Sequence, residues 1–252
     1  MIEVIYPDIF KSFSGIKALF TLSNRKISNQ NSRISGLNFG INTSEDPSVI
    51  KMNRQLLADE TGADPDRFVI AEQVHGDHIE IAEEPGLYGK TDGLITKNQN
   101  LILTIQVADC AAVMVADTEN RIIGIFHAGW RGAAINIVSK GVKTMKSLAR
   151  KNPHYIAYIS PCISERNFEV GHEVAEQFPA EFVDYKSYNK PHINLKSFLN
   201  AELIDNGIKQ DHIQVSDECT MDDPRFYSYR REREKAGRML ACMYMNENVE
   251  PV

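Results

Sequence analysis

Three side chains able to bind a metal or activate a nucleophile stand at His75, Cys110 and His127. Each sits beside residues that turn the backbone or carry charge: Val74-His75-Gly76-Asp77, Ala108-Asp109-Cys110 and His127-Ala128-Gly129-Trp130-Arg131-Gly132. One thiolate and two imidazoles make a three-ligand zinc set. Three protein ligands leave the fourth tetrahedral position open, as in catalytic rather than structural zinc. The same residues also compose a metal-free device. Cys110 is then a thiolate nucleophile, His127 or His75 its base, and Asp109 or Asp92 the orienting carboxylate. A packing reading stands beside both. In it Cys110 is a small buried hydrophobe after an apolar strand, His75 a turn residue, and His127 a strand-end histidine satisfied by backbone. Spacing does not separate these alternatives. His78 is a rival ligand that starts a strand and is expected to be exposed. His154, His172, His192 and His212 read as surface histidines.

Arg131 follows the His127 loop and opens a helix, where a guanidinium and free backbone N–H groups suit a phosphate or carboxylate. Arg54, Arg230 and Arg231 are weaker anion candidates, although Arg54 also reads as an exposed helix residue. Trp130 and Tyr229 offer flat faces for a planar base, and Trp130 reads equally as packing.

The elements that must position these groups follow from periodicity. Asp46 caps a helix that runs to Gly62, with Pro47 in its first turn and Val49, Met52 and Leu56 on one face. A strand over 68–73 delivers His75 just past its end. The apolar run 101–107 reads as a buried strand that leads into Asp109 and Cys110. Strands over 111–116 and 121–126, joined by Asp117-Thr118-Glu119-Asn120, form a hairpin that brings Cys110 and His127 to one end. Helical spacing of Ala134, Ile137, Val138, Val142, Met145 and Leu148 carries a helix to about residue 150. Strands over 154–159, 213–216 and 239–244, and helices over 171–178 and 195–205, complete the reading. Residues 28–33 read as an exposed polar loop. The expected class is α/β, with mixed hairpins and surrounding helices, in a single domain over 1–252. No GxGxxG motif, P-loop or repeating βαβ pattern is present.

The bulk properties agree. In 252 residues, 42% apolar content supports a sizeable core, and a net charge of -6 argues against a nucleic-acid-coating surface. The stretch Arg230-Arg231-Glu232-Arg233-Glu234-Lys235 is mixed in charge and reads as solvated or anion-binding. The four cysteines, Cys110, Cys162, Cys219 and Cys242, are scattered and form no CxxC, which suggests reduced thiols. No signal peptide or membrane span is read, so a cytoplasmic protein is expected. The absence of a heptad seam suggests a monomer.

Several motifs together resemble the laccase-domain, or multicopper polyphenol oxidase, family (YfiH-like). They are Glu72-Gln73-Val74-His75-Gly76, Thr91-Asp92-Gly93-Leu94-Ile95-Thr96, Ala108-Asp109-Cys110 and the His127–Gly132 stretch. Leu37-Asn38-Phe39-Gly40 with Asp46-Pro47 and Asn53-Arg54 is similar to the family's N-terminal motif. Ser160-Pro161-Cys162-Ile163, Phe168-Glu169-Val170-Gly171, Cys219-Thr220, Phe226–Arg231 and Gly237-Arg238 extend the resemblance from about residue 16 to 245.

The resemblance implies a single α/β domain of its own type. It implies zinc on His75, Cys110 and His127. It also implies phosphorolysis of adenosine, inosine and S-methyl-5'-thioadenosine, and deamination of adenosine. Expected substrate contacts are Asn38, Arg54, Gln73, Arg131 and Arg230, with purine nucleosides and phosphate as partners. Asp92, Asp109 and Glu72 are candidates for moving protons. A cysteine hydrolase acting on an amide of cell-wall precursors, a copper-dependent phenol oxidase and a non-catalytic zinc protein remain the alternatives. Copper laccase chemistry needs about ten histidines, and the chain has seven. The sequence departs from the family pattern at Ser160, at Ser164 to Asn167 and at Phe168, which marks that loop as a place where substrate contacts differ.

Overall fold

The computed structural model describes residues 2–13, 15–27 and 31–245. Two six-stranded mixed sheets lie against each other. From edge to edge the first holds Val4–Ile5, Ile16–Thr21, Met239–Met245, Ile102–Val107, Phe68–Ala71 and Gly86–Tyr88. The second holds Ile213–Val215, Tyr155–Ile159, Ala111–Asp117, Ile122–Ala128, Gly93–Thr96 and Ile79–Ile81.

Alternation along the strands dictates the layers. Val107, Ile105 and Leu103 of the first sheet point into the same core as Ala112, Met114, Ile123 and Ile125 of the second. Ile102, Leu240 and Cys242 point the other way, towards Leu57, Leu37 and Phe39. Val113, Val115 and Phe126, on the outer face of the second sheet, meet Val138, Val142 and Met145 of the helix Ile137–Leu148, and Leu199 and Leu203 of the helix Leu195–Asp205. Side chains on a strand have period two, so one chain of buried strands can feed two cores. Phe126 occupies a notch left by three glycines. A Cβ on Gly141, Gly124 or Gly93 would come within 2.3, 2.8 or 2.9 Å of its ring. That fit pins the strand one residue before His127.

The helix Pro47–Thr61 has Asp46 as its N-cap, with the carboxylate accepting from Ser48 N, and Gly62 in the left-handed region at its C-cap. Its buried face is not the expected one. Val49, Ile50, Asn53 and Leu57 face inward, while Met52 is 42% exposed. The buried polar Asn53 explains the difference, because its amide donates to the carbonyl of Asn38 at 2.8 Å. The long helix expected after residue 134 is two helices, Trp130–Ala134 and Ile137–Leu148. Asn136 breaks it in the left-handed region at φ 59°, a conformation that asparagine tolerates.

The strand expected over 68–73 ends at Ala71. Gln73 continues the pairing with its side chain instead, donating to the carbonyl of Gln106 and accepting from its N–H, both at 2.8 Å. His192 is a correction to the surface reading. It is 5% exposed, stacks on Tyr188 with ring centroids 3.8 Å apart, and donates from Nδ1 to the carbonyl of Glu165. Of the expected loop 28–33, residues 28–30 lie outside the described residues. Among the described residues no helix is long and apolar enough to cross a membrane.

Candidate metal centre and its cavity

The hairpin brings two of the three candidate ligands together. Ala112 pairs with His127 and Ala111 with Ala128, so the strands diverge with Cys110 facing Gly129. A Cβ on Gly129 would lie 2.8 Å from Cys110 Sγ and 3.4 Å from His75 Cδ2, which makes glycine the residue that leaves this space open. His75 arrives from the turn after Phe68–Ala71 with φ 62°, a left-handed backbone for a non-glycine residue. The ligating atoms of His75, Cys110 and His127 all lie within 4.8 Å of one another. The two imidazole rings meet edge to face with centroids 4.8 Å apart. Zinc bond lengths of about 2.0–2.3 Å require ligand atoms roughly 3.4–3.8 Å apart in a tetrahedron. His75 is the exposed member of the three. The cluster therefore has the donors and the spacing to bind a metal ion.

Asp92 organises both histidines. It is fully buried. Its Oδ1 accepts from His75 N at 2.9 Å and from His127 Nδ1 at 2.7 Å. Its Oδ2 accepts from Gly76 N at 2.7 Å and Val74 N at 3.1 Å. A carboxylate only accepts, so the proton of His127 sits on Nδ1 and Nε2 is left to face Cys110. With four donors on two oxygens, Asp92 holds the turn that carries His75. The structure does not place it where a proton shuttle would work.

The charges inside are strongly coupled. Burial pushes the Cys110 thiol up, but the imidazoles of His127 and His75 outweigh it and hold the thiol down at about 6. Burial works against a charged His127, yet the Cys110 thiolate and the Asp92 carboxylate raise it to about 9. This is the electrostatic preparation that a thiolate ligand or a thiolate nucleophile requires. In metal-free protein, alkylation of Cys110 by iodoacetamide is expected to turn on as pH rises through about 6, as followed by mass spectrometry. A midpoint at the ordinary thiol value would show that the histidines do not hold the thiolate. Cys162 is the internal contrast, since burial pushes its thiol up to about 12.

A cavity of about 560 Å³ opens on the cluster. Of the expected substrate contacts, Gln73, Arg131 and Arg230 line it. Asn38 and Arg54 do not. Asn38 is fully buried, and its side-chain oxygen accepts from Gly40 N and Arg238 N. It builds the wall behind the cavity. Arg54 lies on the helix Pro47–Thr61, which covers the first sheet's outer face near Cys242. Asp109 lines the cavity, but its carboxylate is occupied. It accepts from Thr220 Oγ1 at 2.6 Å, Ser228 Oγ at 3.0 Å and Arg230 N at 2.6 Å. It ties the segment bearing Arg230 to the residue next to Cys110. Glu72 does not line the cavity.

Arg233, Glu234 and Arg238 line it and were not singled out in the sequence. Glu234 accepts from the Tyr229 hydroxyl at 2.7 Å, and Arg131 stacks on Trp130 at 4.3 Å. Gln106, also missed, lines the cavity and accepts from Ile41 N.

The family model described as multi-copper polyphenol oxidoreductase laccase matches residues 17–246. The chain belongs to this laccase-domain family. A protein of Deinococcus radiodurans named purine nucleoside phosphorylase is 35% identical over 213 residues, covering 83% of this chain and 82% of that one. A Mycobacterium tuberculosis (strain ATCC 25618 / H37Rv) protein of the same name is 32% identical, covering 82% and 84%. The crystal structure of the hypothetical protein YfiH of Bacillus licheniformis superposes with a TM-score of 0.88 at 26% identity, covering 98% of this chain and 97% of that one. YlmD of Geobacillus stearothermophilus gives a TM-score of 0.84 at 27% identity, with 94% of each covered.

Within this laccase-domain chain, the departures at Ser160 to Phe168 touch the cavity at one residue. Ser160 is fully buried and its hydroxyl accepts from Ala112 N at 2.9 Å. Ser164 and Asn167 both donate to Cys219 Sγ. Phe168 alone of these positions lines the cavity.

Proposed function

We propose that this chain is a zinc-dependent purine nucleoside enzyme. It phosphorolyses adenosine, inosine and S-methyl-5'-thioadenosine to free base and pentose 1-phosphate, and it deaminates adenosine to inosine. The observation that carries this reading is the convergence on one cavity of three side chains able to hold a metal, four arginines and three aromatic faces. The names of the phosphorylase relatives support it.

Zinc on His75, Cys110 and His127 supplies Lewis-acid chemistry when bound. The chain supplies the rest. Trp130, Phe168 and Tyr229 present flat apolar faces to a purine. Arg131 holds the phosphate, with its guanidinium delivered over the Trp130 ring. In phosphorolysis a phosphate oxygen bonds to the anomeric carbon, the glycosidic C–N bond breaks, and the base leaves with a proton. Asp109 and Glu234 are the lining carboxylates. Asp109 is saturated by three donors, so Glu234 is the one suited to hold that proton.

Arg131→Ala is expected to raise the Michaelis constant for phosphate by about ten- to a hundredfold, the worth of one charge-assisted contact. Deamination measured without phosphate is expected to fall far less. Equal losses in both assays would assign Arg131 to supporting the His127 loop.

One observation favours a second reading. His127 faces Cys110 and is oriented by Asp92, which is also the layout of a cysteine hydrolase, such as an amidase on cell-wall precursors. Metal analysis of purified protein, with activity before and after chelation, separates the two. Stoichiometric zinc with chelator-sensitive adenine release supports the nucleoside enzyme. Metal-free protein that releases no adenine but cleaves an amide, with the activity lost on alkylation of Cys110, supports the hydrolase. The copper oxidase alternative asks for several coppers per chain, whereas His75, Cys110 and His127 are the one metal-sized group found among the described residues.

A further inference from the structure

Four arginines line the cavity: Arg131, Arg230, Arg233 and Arg238. Among the described residues none of them makes an ion pair. Arg25, Arg166, Arg225 and Arg231, which lie outside the cavity, are each paired with a carboxylate at 2.6–2.9 Å. One inorganic phosphate takes one or two guanidinia, which leaves a surplus of guanidinia in a cavity whose lining carboxylates are Asp109 and Glu234.

The surplus is on one segment. Arg230, Arg233 and Arg238 lie between Ser228 and the strand Met239–Met245, whereas Arg131 comes from the helix beside His127. The segment is held in place for this task. The Asp109 carboxylate accepts from Ser228 Oγ and Arg230 N, which fixes its start. The Asn38 side chain accepts from Arg238 N, which fixes its end. Between these anchors Arg233 adopts φ 54° and ψ -132°, a backbone that a non-glycine residue reaches only at a cost. Two guanidinia are steadied along one edge by backbone carbonyls. Arg230 Nη2 donates to Glu169 O at 3.0 Å, and Arg238 Nη1 donates to Ala236 O and Gly237 O. The remaining edges have no protein acceptor among the described residues. Fixed guanidinia with free edges are built for a phosphate group.

We infer that Arg230, Arg233 and Arg238 form a second anion subsite that accepts the 5'-phosphate of a purine nucleoside monophosphate. This rests on the nucleoside reading above and names a ligand class that it does not include.

The test compares inosine with inosine 5'-monophosphate by calorimetry on the purified protein. Phosphate-free buffer prevents turnover, and the titrations are repeated on Arg131→Ala, which removes the first anion site and leaves the second open. The monophosphate is expected to bind about ten- to a hundredfold more tightly than inosine, with the advantage kept in Arg131→Ala. Arg233→Gly, which suits the positive φ, and Arg230→Gln, which keeps the backbone bond to Asp109, should each cut monophosphate affinity by about tenfold more than inosine affinity. Equal affinity for the two ligands, or an advantage abolished by Arg131→Ala, would overturn the second subsite. Equal losses for both ligands in the variants would do so too. Tight monophosphate binding by a protein that releases no hypoxanthine from inosine and phosphate would support the subsite while refuting the phosphorylase reading. Binding of neither ligand would refute both.

Discussion

Cys110→Ala is expected to yield a folded protein without bound metal, and with phosphorolysis and deamination both reduced by at least about three decades. The size follows from the chemistry. A bound metal ion contributes several kcal/mol to stabilising developing charge, and each 1.4 kcal/mol is a factor of ten in rate. Two histidines alone make a weak zinc site, because the thiolate is the ligand that brings negative charge. The fold survives because the thiol is small, half-buried and only marginal to the central core. Its loss also releases His127 from the charge that holds its pKa near 9, so the imidazole becomes easier to deprotonate. Metal content by mass spectrometry, circular dichroism and adenine release on one preparation check the prediction. Retained zinc would remove Cys110 from the ligand set, and full activity in a folded variant would remove both the zinc and the nucleophile readings.

The three candidate ligands stand out in the sequence because their types are scarce and their neighbours unusual. A histidine before Ala-Gly-Trp-Arg-Gly, a cysteine just after an apolar strand and a histidine inside a turn differ from any packing pattern. The hairpin that joins Cys110 to His127 was legible too, since its strands and turn are contiguous in sequence. The second wall of the cavity was not. Arg230 to Lys235 reads as a solvated or anion-binding run, and nothing local decides between the two or says what it faces. Its position is set by Asp109, whose carboxylate accepts Arg230 N from 121 residues away. Gly86–Tyr88 escaped for a related reason. It is three residues long and partly exposed, and exists only through parallel pairing with a strand elsewhere in the chain. Arg54 and Asn38 show the converse error. Their motifs were visible, but a motif marks a position without saying whether the side chain meets solvent, substrate or wall. Asn38 meets the wall, where its oxygen fixes the backbone of Gly40 and Arg238.

The same distinction gives Asp92 its weight. The sequence offered it as a proton carrier or as the carboxylate that orients a histidine, and its four partners, all donors, favour the second: Val74 N, His75 N, Gly76 N and His127 Nδ1. Asp92→Asn keeps the shape and replaces one acceptor with an NH₂ group. That group must then face either the turn amides Val74 N and Gly76 N, or His75 N and His127 Nδ1. In the first case two buried N–H groups lose their acceptor and the His75 turn loosens. In the second, His127 turns its unprotonated nitrogen to the amide, which moves its proton to Nε2, the atom needed for the metal. Either way a ligand is spoiled without being removed. Metal affinity is expected to fall about ten- to a hundredfold, as for other carboxylates that orient a ligating histidine. The metal-free fold should lose about 1–3 kcal/mol for the buried donors left unpaired. Competition with a chromophoric chelator measures the first quantity and urea denaturation the second. Excess zinc should restore most of the nucleoside activity, because the ligands themselves remain. A purely catalytic Asp92 predicts the opposite pattern, with unchanged zinc affinity and an activity loss that no amount of zinc repairs.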